Sequence, residues 1–319
     1  MKKMLYSLLA FVILNCSSVS AQSGMQYKAV DEFVIKLGGL DSLNVAQIAE
    51  RLTLKISDKE QKARAIFFWI ANNIAIDGKA LKGHDERKSL PEDVVKNRKA
   101  TPLGFAKLFQ EMSSLANIRC LVVDGYIKAT IEDLNAPADE INHSWNVIQL
   151  GASPDKWFFV DVALASGTLD KKMTTFKKDF TSAYFFASKP LFNLDHYPDN
   201  GQWQLGGGPK SLKEFYSLPV FYNAAHLYNI RKPTPANGFI KTKTKAKTNF
   251  SIPYGAPGVS NVSLVIGDSR KQQKPEAMNF TASAGSIVFN YQFKTADTYP
   301  VKIVVDGKTV LEYMVEVSE

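Results

Sequence analysis

The sequence predicts an α+β domain followed by a β-sandwich, and three observations carry that expectation. From about residue 57 to residue 115 apolar side chains recur at three- and four-residue intervals, the spacing of helices with one inward face. After Asn117 the pattern becomes β-rich, and helices followed by strands is the order of an α+β domain. Beyond Gly238 come short alternating runs separated by Gly, Pro, Asn and Asp, the pattern of a sandwich of immunoglobulin-like type.

The chain opens with Lys2 and Lys3, an apolar run from Met4 to Leu14 and small residues ending at Ala21, which reads as a secretory signal peptide over residues 1–21. The run is too short to span a bilayer, so no integral membrane span is expected. Ile13-Leu-Asn-Cys16 also resembles a lipoprotein box, which would place a lipid anchor on Cys16, although Asn15 is bulky for that position. Either route exports the chain to the periplasm or the cell surface. The net charge of +8 falls to +6 without Lys2 and Lys3, and the basic residues are interleaved with acids. Nucleic acid is therefore not an expected partner. Cys120 is the one cysteine beyond Cys16, so a chain cleaved after Ala21 has no disulfide framework and depends on packing. Neither partner identity nor oligomeric state can be read from these residues.

Residues Gln22 to Ala29 read as a polar lead-in, and a short helix is expected around Ser42 to Leu52. The next helix carries the stripe Ala63, Ile66, Phe67, Ile70 and Ile74, and Ser57 with Glu60 forms a capping box before it. A short helix follows near Pro91 to Lys96. The central helix begins at Thr101, whose hydroxyl can cap it, with Pro102 in the first helical position and Phe105, Leu108, Phe109, Met112 and Leu115 on its inner face. Strands are expected at Cys120–Ile127, Asn142–Leu150 and Lys156–Val162, the last two as a hairpin. Residues Ser166 to Phe192 read as a connection whose aromatics pack on the sheet, with the edge of a cleft as the alternative. Arg231 to Gly238 marks the domain boundary, giving a first domain over 22–235 and a sandwich over 236–319. The alternating Lys241, Lys243, Lys245 and Lys247 fit the wet side of an edge strand.

Several segments, in order from Val45 to Phe221, resemble the transglutaminase-like, papain-related superfamily, most of all its secreted bacterial branch similar to kyphoscoliosis peptidase. They are Lys62 to Asp77, Gly104-Phe-Ala106, His143-Ser-Trp-Asn146, Trp157-Phe-Phe-Val-Asp161, Asp195 to Leu205 and Leu212 to Phe215. The resemblance implies a papain-like core of helices on an antiparallel sheet. It also implies a cysteine thiolate at the helix start, a histidine that exchanges its proton and an aspartate that orients the imidazole. Aligned through Gly104, the cysteine position falls on Pro102, while His143 and Asp161 match the other two.

No catalytic set is therefore intact, and Pro102, His143 and Asp161 read as vestigial triad positions. Thr101, Trp145 and Trp157 are the candidates for the walls of the former cleft. The expected function is non-catalytic binding of a peptide or protein segment there, at the cell envelope. The alternative is a peptidase or acyltransferase with a nucleophile other than cysteine. Cys120 reads as a buried core residue. Asp77 and His84 lack a third ligand at useful spacing, and His196 and His226 have no such company, so no metal or cofactor is assigned.

Overall fold

The computed structural model describes residues 26–151, 156–255, 258–267, 274–283 and 285–319, so the leader expected over 1–21, Cys16 included, lies outside the described residues. Six helices and a two-stranded ladder come first: α1 (Lys28–Lys36), α2 (Val45–Thr53), α3 (Lys59–Asn73), β1 (Ala75–Ile76), α4 (Gly78–Lys82), α5 (Pro91–Asn97), β2 (Lys99–Ala100) and α6 (Pro102–Leu115). Helix α1 takes in the last two residues of the expected lead-in, Lys28 and Ala29. Helix α2 is opened by Asn44, whose side chain accepts from Gln47 N–H while the Gln47 side chain accepts from Asn44 N–H. At α3 the cap is Asp58, which accepts from Gln61 N–H, and not the expected Ser57 with Glu60. An aspartate side chain adds negative charge beside the helix's positive end, an advantage serine lacks.

Helix α3 is buried nearly all round, and it takes a charge inside with it. Arg64 donates to both carboxylate oxygens of Asp31 on α1, at 2.8 and 2.7 Å, and to Ser182 at 2.8 Å. Tyr27, Phe67 and Phe185 surround its guanidinium within 5.3 Å. A buried guanidinium persists only with such an anion and such rings.

The sheet of this half comprises β3 (Arg119–Ile127), β4 (His143–Gln149), β5 (Trp157–Val160) and β8 (His196–Pro198), in the order β5-β4-β3-β8, all antiparallel. Between β5 and β8 lie α7 (Val162–Ser166), the ladder β6 (Gly167–Leu169) with β7 (Phe176–Lys178), and α8 (Lys189–Asp195). Strand β5 stops one residue before Asp161 because that side chain caps α7, accepting from Leu164 N–H at 2.9 Å. The aromatics of the connection turn inward: Phe185 lies 5.0 Å from Phe67 and 4.2 Å from Phe186.

The first half closes with α9 (Leu212–Ser217), β9 (Val220–Phe221) and α10 (Asn223–Leu227), and the chain continues as strands alone. These are β10 (Phe239–Lys243), β11 (Thr248–Pro253), β12 (Val262–Ile266), β13 (Glu276–Ala277), β14 (Thr281–Ser283), β15 (Ser286–Tyr291), β16 (Asp297–Val305) and β17 (Lys308–Ser318). One sheet runs β10-β17-β16-β12-β13 and the other β11-β15-β14, with Phe250, Ile252, Leu264, Phe289, Ile303 and Tyr313 in the shared core, as in a β-sandwich. Lys241 sits on edge strand β10, paired with Glu316 at 3.3 Å. The β16–β17 hairpin turns through Asp306 and Gly307, both at positive φ, as a two-residue turn of this twist requires. Strand β9 pairs with β17, and Leu191, Leu194, Leu218 and Phe221 join the second core, so packing crosses the boundary at residue 235.

Candidate functional site

The start of α6 is closed by its own hydrogen bonds. Thr101, in extended backbone, accepts from Gly104 N–H at 3.4 Å and donates to Glu86 Oε2 at 2.5 Å. The Ser89 hydroxyl also donates to that carboxylate and lies 3.2 Å from Thr101 Oγ1. Pro102 takes the first helical position, where its missing N–H leaves no bond unmade. Gly104 lets α5 and α6 approach, since a Cβ there would stand 3.0 Å from Ala100 Cβ and 3.2 Å from Val94 Cγ2. Thr101 and Pro102 are both buried.

The strand facing this helix start is β4. Its Asn146 donates to the Ala106 carbonyl of α6 at 3.0 Å and to Leu121 at 3.3 Å, which fixes β4 against the helix. Three residues earlier, His143 Nε2 meets Asp161 Oδ2 at 2.6 Å. The same oxygen receives His196 Nε2 at 3.1 Å, His196 Nδ1 meets Asp195 Oδ1 at 2.6 Å, and Asp195 Oδ2 meets His226 Nε2 at 2.6 Å. Five side chains thus form a continuous chain of alternating imidazoles and carboxylates. His143 is 4% exposed, Asp161 and His196 0%. Phe192 stacks on the His196 ring at 3.7 Å and Trp145 meets it edge-on at 5.1 Å.

A carboxylate can only accept, so each imidazole nitrogen in the chain donates, and His196 donates from both nitrogens as an imidazolium. Burial opposes that charge, but Asp195 and Asp161 prevail and hold its pKa up to about 9. Burial would likewise raise the two carboxyls, yet His143 and His196 around Asp161, and His196 and His226 around Asp195, keep both well below the usual carboxylate range.

The sequence-predicted residues are therefore only partly brought together. His143 and Asp161 share a hydrogen bond, and Pro102 begins the helix packed on the same strand. Trp145, 1% exposed, lies in the core against Phe192 and His196; Trp157, 9% exposed, is covered by Trp203 at 5.2 Å and by the Arg119 guanidinium at 5.2 Å. Asp77 caps α4 through Ala80 N–H at 3.0 Å, and His84 is exposed. Sequence reasoning left His196, Asp195, His226 and Glu86 without a role. The signal for two of them was the Asp195-His196 pair inside a segment already matched to a family motif. His226 and Glu86 gave none. Cys120 offers no substitute thiol, because burial pushes its pKa far up.

Chemically, the site pairs an imidazole with a carboxylate, and the helix start packed on the same strand carries the hydroxyl of Thr101 and the ring of Pro102. The model of the transglutaminase-like superfamily core matches residues 46–162. Kyphoscoliosis peptidase of Homo sapiens is 30% identical over 240 residues, covering 73% of this chain and 34% of its own, and that of Mus musculus is 31% identical over 202 residues, covering 62% and 29%. The chain belongs to the transglutaminase-like superfamily. The matched transglutaminase-like core runs from α2 into α7, so it contains the helix start, His143 and Asp161, while His196 and His226 lie beyond it. Hillarin of Drosophila melanogaster is similar at 23% identity over 222 residues, covering 65% of this chain and 26% of its own. The chain spans about a third of the length of these curated relatives.

Proposed function

We propose that this is a non-catalytic transglutaminase-like protein of the cell envelope, which binds a peptide or protein segment at the former substrate cleft without cleaving it. One observation carries the reading: where the superfamily's thiol is expected, the chain has Thr101-Pro102, and the Thr101 hydroxyl is already committed to Glu86 and to Gly104 N–H. A hydroxyl so engaged is no nucleophile, and proline has none to offer. Because Trp145 and His143 are buried, a segment meets the exposed loop of residues 82–88 at the rim, where Glu86 reaches Thr101 and Asp85 pairs with Arg87 at 2.6 Å. The envelope assignment is supported by the basic, apolar and small-residue order of residues 1–21.

The test compares the wild-type chain with His143→Ala on labelled peptides, following amide cleavage, amine incorporation and fluorescence anisotropy. Saturable binding with no His143-dependent turnover is expected. Turnover that disappears in His143→Ala overturns the proposal in favour of a peptidase or acyltransferase with another nucleophile.

A further inference from the structure

The buried histidine–aspartate chain contains a donor set that the peptide-binding reading does not use. Two imidazole nitrogens, His143 Nε2 and His196 Nε2, converge on one carboxylate oxygen, Asp161 Oδ2, and the three atoms lie within 4.8 Å of one another. We propose that His143, His196 and Asp161 form a binding site for a divalent transition-metal ion of the zinc class.

The geometry fits such an ion with little rearrangement. Zinc sits about 2.0–2.2 Å from nitrogen and carboxylate donors, so ligand atoms around it stand about 3.4 Å apart. The observed separations from Asp161 Oδ2 are 2.6 Å to His143 and 3.1 Å to His196, so the carboxylate oxygen needs to part from each nitrogen by under about 1 Å. The surrounding shell is already of the kind a metal-bound imidazole uses. His196 turns its other nitrogen, Nδ1, to Asp195 Oδ1 at 2.6 Å, which is the carboxylate–histidine–metal arrangement that fixes the ring and raises its basicity. Asp161 is held in turn by Leu164 N–H on its second oxygen.

Charge favours the ion as well. Two carboxylates, Asp161 and Asp195, are buried in this cluster, so a cation at Asp161 is compensated where it sits. An ion at Asp161 displaces the two Nε2 hydrogens there, the His143 proton moving to Nδ1 and the other leaving to solvent, with His196 still donating from Nδ1 to Asp195. Two imidazoles and one carboxylate suit zinc or cobalt and are a poor set for calcium or magnesium, which take oxygen donors. Three protein donors leave a further coordination position for water.

The experiment uses the exported chain, expressed without a polyhistidine tag and stripped with a chelator, then titrated with Zn2+ and with Co2+ as a visible probe. One equivalent is expected to bind, Co2+ showing d–d bands, while Ca2+ and Mg2+ leave the chain unchanged. His196→Gln and Asp161→Asn should lower the affinity at least about 100-fold, and Asp195→Asn, which leaves all three donors in place, about 10- to 100-fold. His84→Gln should bind as the wild type does. Since a ligand variant can fail to fold, the wild-type imidazole 15N spectrum supplies an independent reading. Zn2+ should move the Nε2 resonances of His143 and His196 and leave His84 in place. No stoichiometric binding, or a response confined to His84, overturns the proposal whatever the outcome for peptide binding.

Discussion

Asn146 Nδ2 donates to the carbonyl of Ala106 at 3.0 Å, so the strand that carries His143 and the helix that begins at Thr101 are held in one register. Removing the amide in Asn146→Ala should cost about 1–3 kcal/mol, because the buried carbonyl of Ala106 and the half-buried one of Leu121 lose this donor. Asn146→Asp should be worse than Asn146→Ala, since it sets a carboxylate against those same carbonyls. Urea unfolding of the three proteins should rank their midpoints wild type, then Ala, then Asp.

A thiol placed at the helix start should regain reactivity. In Pro102→Cys the sulfur occupies the first turn of a fourteen-residue helix, where the positive dipole end stabilises thiolate. Alkylation by iodoacetamide should be faster at residue 102 than at Cys120, and should slow when His143→Ala is added. Equal rates with and without His143 would mean that the imidazole is out of reach of the helix start.

The α+β order, the stripe of α3, the capped start of α6 and the Val305–Lys308 hairpin were legible because each depends on residues close in sequence. The alternating lysines expected on one edge strand are divided: Lys241 and Lys243 lie on β10, while Lys245 and Lys247 lie in the turn before β11 of the other sheet, since alternation alone does not mark where a chain changes layer. The site was legible only as far as the family motifs reach. His226 meets Asp195 across 31 residues and His196 meets Asp161 across 35, contacts that β8 pairing with β3 and the packing of α10 create. Glu86 reaches Thr101 from an exposed loop whose sequence carries no periodic signal.

Lys128 should make the fold more stable as pH rises. Its amine is buried, donates to the Phe215 carbonyl at 2.8 Å, and burial brings its pKa down to about 7 against about 10.4 in an unfolded chain. Between these values the unfolded state binds more protons, so unfolding free energy climbs through that window, by at most on the order of 4 kcal/mol, and the gain is absent below pH 7. Lys128→Met has no amine to titrate. The stability of wild type minus that of Lys128→Met, from urea curves at pH 6 to 10, should rise with pH; a flat difference would show that the amine keeps its ordinary affinity for protons.

Gly125→Ala should damage the sheet although it adds one methyl group. A Cβ at Gly125 would fall 2.3 Å from the Tyr197 carbonyl oxygen and 2.6 Å from Trp145 Cη2, so either β8 or the indole must move, at a cost of about 1–3 kcal/mol or more. Gly38→Ala, with nothing within 4 Å of the added carbon, is the matched control and should leave the melting temperature within a degree or two. Thermal unfolding of the pair checks both.

The pairing of β9 with β17, Phe221 opposite Leu311 and Val220 opposite Glu312, is reinforced by Tyr222, which donates from its backbone to Val310 at 3.1 Å and from its hydroxyl to Glu312. Tension drawn along β17 would therefore load that short ladder in shear and reach the helical half through hydrogen bonds as well as through the 231–238 connection. Under a pull, the two halves would stretch as one body, with neither swinging loose on a tether.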